Sequence, residues 1–171
     1  MKKSLIAYYS RRGQNYVGGS LVDLKLGNTE IIAQKIQAST GSQMFKIDTV
    51  KKYPADYMET TRIAKQELRE NARPELTEVL GNMDDYNVIY LGYPNWWGTF
   101  PMAVFTFLDS YDFSGKTIIP FCTHEGSGMG GVNDIKKLCP GAKVENGIAI
   151  HGGSVQAADR AIVAWLSEYN D

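Results

Sequence analysis

The chain has 171 residues, 43% hydrophobic and 22% charged, with a formal net charge of −1. That length suits a single domain spanning 1–171, because separate cores need more material. The near-neutral balance excludes both the basic excess of a nucleic-acid binder and a strong acidic field.

No stretch approaches the roughly 18 apolar residues of a membrane span. The lysines and short apolar run that open the chain are too brief for a secretory signal and lack a small-residue cleavage site, so a cytoplasmic protein is the expectation. Cys122 and Cys139 are too far apart for a CxxC pair, a zinc site or a disulfide framework, and both read as reduced and structural.

Residues 4–9 form an apolar, partly aromatic run that stops at Ser10-Arg11-Arg12-Gly13, which suits a strand buried on both faces. From Asn28 or Thr29 a helix follows, with Ile32, Ala33 and Ile36 on one face. Residues 43–50 read as a second strand, and Tyr57, Thr61, Ala64 and Leu68 recur at helical spacing until Asn71-Ala72-Arg73-Pro74. A third strand covers 86–91, and a short helix begins near Pro101. A fourth strand covers 117–122. A glycine-rich loop then leads to a helix carrying Val132, Ile135 and Leu138, and a fifth strand covers 144–151. Val155, Ala158, Ile162, Trp165 and Tyr169 place one buried face on a last helix. Strands alternating with helices predict a parallel sheet sandwiched between helical layers, with right-handed crossovers. Ligands of such sheets bind beyond the carboxyl ends of the strands, so the loops after strands one, three and four are the places to search.

After strand one, Ser10, Arg12, Gly13, Gln14 and Asn15 precede an insertion containing Gly18-Gly19, and Gly27-Asn28-Thr29 stands directly ahead of the helix. Hydroxyls, amides and a helix start suit a phosphate; the same residues also serve an ordinary capped turn. No P-loop or GxGxxG pattern is present. After strand three, Trp96 and Trp97 are adjacent on a loop, which suggests one packed in the core and one against a planar ligand. After strand four, glycines expose backbone groups to a ring with several hydrogen-bonding atoms. His124-Glu125 fails as HExxH because Gly128 stands where histidine is needed, and Glu125 ahead of Gly126-Ser127 breaks GxSxG. Metal and serine-hydrolase chemistry drop out on that ground. His151 has no companion at a telling spacing and reads as structural, as does Cys122.

Ser10-Arg11-Arg12-Gly13, Gly27-Asn28-Thr29-Glu30, residues 92–98 and residues 123–128 together resemble the FMN loops of flavodoxins, in the right order and over nearly the whole chain. The resemblance implies a flavodoxin-like three-layer α/β/α sandwich with a five-stranded parallel sheet in order 2-1-3-4-5 and FMN at the switch point. Ser10, Arg12, Asn15 and Thr29 would hold the phosphate. Pro94, Asn95, Trp96, Trp97 and Gly98 would flank the ring on one side, and Thr123, Glu125, Gly126, Ser127 and Gly128 on the other. One tryptophan would stack on it, and the Trp97-Gly98 peptide would turn with flavin redox state. No side chain would be catalytic. Two departures stand out: residues 14–26 are inserted in the phosphate loop, where Gly18-Gly19 suits a small hairpin acting as lid or partner contact, and the net charge is near neutral.

The function implied is electron transfer by a monomer between redox partner proteins, a reductase and an acceptor, without nucleic acid or membrane. The alternative is an FMN-dependent NAD(P)H:quinone-type reductase. A cofactor-free signalling module of similar fold would need clustered acids after strand one, where Arg11 and Arg12 stand.

Overall fold

A computed structural model describes residues 3–170. β1 (Ser4–Tyr8), β5 (Val88–Pro94) and β6 (Thr117–His124) form the centre of a parallel sheet, with β4 (Gln43–Lys46) beside β1 at one edge and β7 (Lys143–Val144) and β8 (Ile148–His151) beside β6 at the other. An inserted hairpin, β2 (Gly13–Val17) and β3 (Ser20–Leu24), forms its own two-stranded antiparallel sheet. With the hairpin set apart, and with β7 and β8 taken as two pieces of one strand, the order is the expected 2-1-3-4-5.

Strand periodicity explains the layers, because successive side chains leave opposite faces. Leu5 and Ala7 of β1, Ile89 and Leu91 of β5, and Ile118 and Cys122 of β6 share one core with α3 (Met102–Asp109) and Ile135 of α4 (Val132–Leu138). Leu68 of α2 (Tyr57–Glu70) packs at its margin. Ile6, Tyr8, Tyr90, Ile119 and Phe121 face the other way, onto Ile32 and Ile36 of α1 (Asn28–Thr40) and Ile162 and Trp165 of α5 (Asp159–Ser167). Helix ends follow their local chemistry: the Asp56 side chain accepts the Glu59 N–H at the start of α2, and Gly41 closes α1 in the left-handed region.

Several strand boundaries differ from the sequence expectation, the fourth strand for instance running on to His124. The second strand is shorter, although Ile47 N–H still donates to Tyr8 O. The third continues to Pro94, because Gly92, Tyr93 and Pro94 keep pairing with Phe121, Cys122 and Thr123. The fifth is broken between β7 and β8, where residues 145–147 lie opposite only Ile119 and Pro120. Pro120 has no N–H to continue the ladder, and the extra residue is taken up at Gly147, whose φ is 74°.

Gly92 is a packing requirement. A Cβ there would lie 2.1 Å from Cζ of Phe121, which is fully buried, so the phenyl ring lies where a side chain would be. Gly92→Ala should therefore cost about 2 kcal/mol by overpacking, read as a lower urea midpoint at unchanged slope; a variant as stable as the parent would show that the ring relaxes freely.

Candidate functional site

The carboxyl ends of β1, β5 and β6 deliver three loops to one cavity of about 210 Å³. In the loop after β1, Ser10 turns its hydroxyl onto the first turn of α1 and accepts the Glu30 N–H at 3.1 Å. This approach requires glycine at 27, where a Cβ would stand 2.2 Å from Ser10 Oγ. As Gly27 is the cap residue, it brings no side chain of its own to α1, so apart from the Glu30 N–H held by Ser10 the helix start presents its amides and the positive end of its dipole to the cavity. Thr29 and Thr123 pair through their hydroxyls at 2.8 Å, both buried, and tie this helix start to the end of β6. Asn15 lines the cavity while its side-chain N–H₂ holds Arg11 O and Gly13 O.

The two arginines divide. Arg12 is directed away from the cavity: Nε and Nη2 grip the two carboxylate oxygens of Glu30 at 3.0 and 2.7 Å, and Glu30 is buried. A buried carboxylate demands such a partner, which raises the Arg12 pKa further through that hydrogen bond and the charge of Glu30. Arg11 lines the cavity instead. Its Nε donates to Gln14 O and its Nη2 to Pro54 O and Ala55 O.

After β5, Asn95 cross-links both ring-flanking loops, accepting the Gly98 N–H on Oδ1 and donating from Nδ2 to Gly128 O, each at 3.0 Å. Trp96 and Thr99 exchange backbone hydrogen bonds around Trp97 (φ 57°) and Gly98 (φ 86°), the pair of positive φ values of a type I′ turn. For tryptophan this conformation costs about 1–2 kcal/mol. It is offset where the indole lies along α2, donating Nε1–H to Thr61 O at 3.0 Å with Lys65 Nζ 4.9 Å over the ring. Trp96 packs edge-on against Tyr9 and Tyr53 and also lines the cavity.

After β6, the Glu125 carboxylate reaches the inserted hairpin, where Oε2 accepts the Gly18 N–H at 3.0 Å. The expected turn is present, with Gly18 and Gly19 both at positive φ. Gln14 Oε1 accepts the Tyr57 N–H at 2.6 Å, and Tyr16 stacks on Tyr57 with centroids 6.3 Å apart. The hairpin is thereby strapped to α2 at its base and to the β6 loop at its tip, and walls the cavity between them. Burial, and then the neighbouring His151, hold His124 below the ordinary imidazole range. It is neutral at neutral pH, with Nδ1 accepting the Gly126 N–H at 2.9 Å. Burial, followed by the charge of Glu125, raises the Tyr57 phenol, which stays a protonated donor. His151 caps the turn after β8 by accepting the Gly153 N–H.

Of the residues expected at the site, Ser10, Asn15, Thr29, Pro94, Asn95, Trp96, Thr123, Glu125 and Ser127 line this cavity; Arg12, Trp97, Gly98, Gly126 and Gly128 do not. Gly98 and Gly128 act through Asn95, and Trp97 lines an adjoining chamber. The cavity adds Arg11, Tyr16, Asn28, Tyr57 and His124. Arg11 and Asn28 were visible as neighbours of expected residues; Tyr16 and Tyr57 carry no local signal. A larger depression of about 830 Å³ lies between β3, α1 and the start of α5 and shares only Asn28 with this site. Among the described residues no three His, Cys, Asp or Glu side chains are placed to hold a metal ion, and no helix is long and apolar enough to cross a membrane.

A doubly wound parallel sheet with its cavity at the strand ends defines the class of α/β proteins that take ligands at the topological switch point. The flavodoxin family model matches residues 21–169, and the chain belongs to that family. No curated protein matches it. Among solved structures it is similar to candidate flavoproteins from Bacteroides eggerthii (26% identity, 98% of each chain covered, TM-score 0.79) and Bacteroides uniformis (28%, 95% of this chain and 98% of that one, TM-score 0.74). It shares the fold of a Lactobacillus acidophilus flavoprotein solved in complex with FMN (23%, 97% and 99%, TM-score 0.66).

Cys122 lies behind this site at the end of β6, and burial pushes its thiol up to about 11 and that of Cys139 up to about 12. A raised pKa withholds the reactive thiolate at pH values below it. In the native protein neither thiol should react with Ellman's reagent over minutes at about pH 8, and both should react once urea unfolds the chain; prompt native reaction of Cys122 would contradict its burial.

Proposed function

We propose that this flavodoxin holds one FMN without a covalent bond and carries electrons between a reductase and an acceptor enzyme. The observation that supports this reading is the meeting, in one cavity, of three loops with different chemistry. The glycine-capped start of α1, the Ser10 hydroxyl and the Arg11 guanidinium suit a phosphate. Trp96, Tyr16 and Tyr57 offer ring faces. The loops after β5 and β6 offer backbone groups, held by Asn95 and by the Tyr93 hydroxyl, which donates to Gly130 O at 2.7 Å.

When bound, FMN supplies both one- and two-electron chemistry. The chain's residues position it and exclude water: the hairpin covers the cavity through Gly18 and Glu125, and protonated Tyr57 and neutral His124 add no titrating charge near neutral pH. On this reading the protein is a cytoplasmic monomer that docks on its redox partners and on neither nucleic acid nor membrane.

Apo-protein should take up one equivalent of FMN with a Kd below about 1 μM and then accept electrons in two resolved one-electron steps during anaerobic titration. Rapid NAD(P)H oxidation with a quinone alone would replace the carrier by a small-acceptor reductase, and failure to bind FMN would sink both.

The two arginines should separate in the same assay. Arg11→Ala should weaken FMN binding about tenfold, or about 1.4 kcal/mol. Arg12→Ala should leave it within about threefold and instead lower the urea midpoint, because Glu30 is left buried without its cation. Equal losses of FMN affinity would return Arg12 to the phosphate site.

A further inference from the structure

Behind the cavity assigned to FMN, the Trp96 indole meets two phenols edge-on, its centroid 5.3 Å from that of Tyr9 and 5.4 Å from that of Tyr53. Trp96 lines the cavity, and the two tyrosines stand behind it. They differ in one respect. The Tyr53 hydroxyl donates to Glu67 Oε1 of α2 at 2.6 Å, whereas among the described residues no group accepts from the hydroxyl of the buried Tyr9. We propose that Trp96, Tyr53 and Glu67 form a relay that carries an oxidising equivalent out of the cavity, ending as a radical on Tyr53 with its proton on Glu67. The proposal rests on the reading of the cavity as the FMN site, and the oxidant it names is a photoexcited flavin.

Electrons and protons balance with no other reactant. One electron leaves the Trp96 indole for the oxidant, which is reduced by one electron. A second transfer, from Tyr53 to the Trp96 radical cation, restores the indole while the phenolic proton crosses the hydrogen bond to Glu67 Oε1. Tyr53 ends as a neutral radical and Glu67 as a carboxylic acid. When a reductant returns the electron, the same proton goes back to the phenol.

The hydrogen bond selects Tyr53 over Tyr9. A phenol that has lost an electron is strongly acidic, so its oxidation is eased where a base already stands within hydrogen-bond reach, roughly 2.6–3.2 Å. Glu67 is such a base. Tyr9 would have to keep a positive charge in a buried place, which desolvation penalises. Burial raises the Glu67 carboxyl, with Glu70 acting in the same direction and the Tyr53 hydrogen bond and Lys51 acting against it, and a raised carboxyl holds a transferred proton better.

Position selects Trp96 over Trp97. Lys65 Nζ lies 4.9 Å over the Trp97 ring, and a cation there opposes removal of an electron from that indole. Among the described residues, the cations placed over rings lie on Tyr86, Trp97 and Phe105, and none on Trp96. Tyr53 and Glu67 are half-buried, so the oxidising equivalent ends where small reductants in water can reach it.

The test is time-resolved absorption of the FMN-loaded protein after a blue flash, following indole and tyrosyl radicals, with electron spin resonance to identify the tyrosyl species. In the parent the indole radical should give way to a tyrosyl radical. Tyr53→Phe should lose that second signal, and Glu67→Gln, which keeps an acceptor oxygen and removes the base, should slow its appearance at least about tenfold. Tyr9→Phe should leave the rate within about threefold. All three changes are nearly isosteric, and FMN affinity should stay within about threefold in each. A parent that forms no tyrosyl radical, a Tyr53→Phe or Glu67→Gln variant that behaves like the parent, or an equal loss in Tyr9→Phe would overturn the relay while the carrier reading stands. If apo-protein takes up no FMN, the carrier reading fails. Azide radicals made by pulse radiolysis, which oxidise indoles, then decide the relay alone with the same three variants in a Trp97→Phe background.

Discussion

Parallel pairing of β1 with β5 and of β5 with β6 sets Tyr8 opposite Gly92 and Pro94 opposite Thr123, so three chain segments far apart in sequence end side by side. Parallel neighbours need crossover connections that return each chain to the same starting edge. The helices that provide those returns cover both faces and close two cores around the sheet. Loops leaving the same edge are then brought against one another. The site is in this sense a consequence of strand direction, and its chemistry is whatever those loops carry.

Polar cross-links turn adjacency into a defined cavity. Thr29 with Thr123 joins the first loop to the third, and Asn95 joins the second to the third. A buried hydroxyl left alone is costly, so the Thr29–Thr123 pair helps to set the spacing of α1 and β6 above the apolar packing beneath it. Glycine supplies further close approaches, among them Gly27 under Ser10 and Gly92 beneath Phe121. At both positions a methyl group would collide with a neighbour that the site or the core requires.

The inserted hairpin has little sheet of its own and depends on the body for support. Two strands alone are marginal in water, and this pair is anchored by Gln14 to the start of α2, by Tyr16 on Tyr57, and by Gly18 on Glu125. Those anchors also place both tyrosines between the FMN cavity and the aromatic chamber beside it. The departure of this chain from the compact phosphate loop thus supplies part of the wall of its site.

The amino-acid sequence by itself determined the alternation of strands and helices, the depth of the central strands and the three loops that matter, because periodicity, caps and glycine placement are local properties of the chain. It also placed the turn of the hairpin at Gly18-Gly19. Three-dimensional packing alone decided between neighbours of equal local merit. Arg12 is drawn to Glu30 on α1, which leaves Arg11 facing the cavity, and Trp97 is drawn onto α2 by Thr61 and Lys65, which leaves Trp96 at the site. Tyr16 and Tyr57 become site residues only because the hairpin folds back on α2. Each of these outcomes turns on a partner distant in sequence, and the direction of a side chain follows from the partner it meets rather than from its neighbours along the chain.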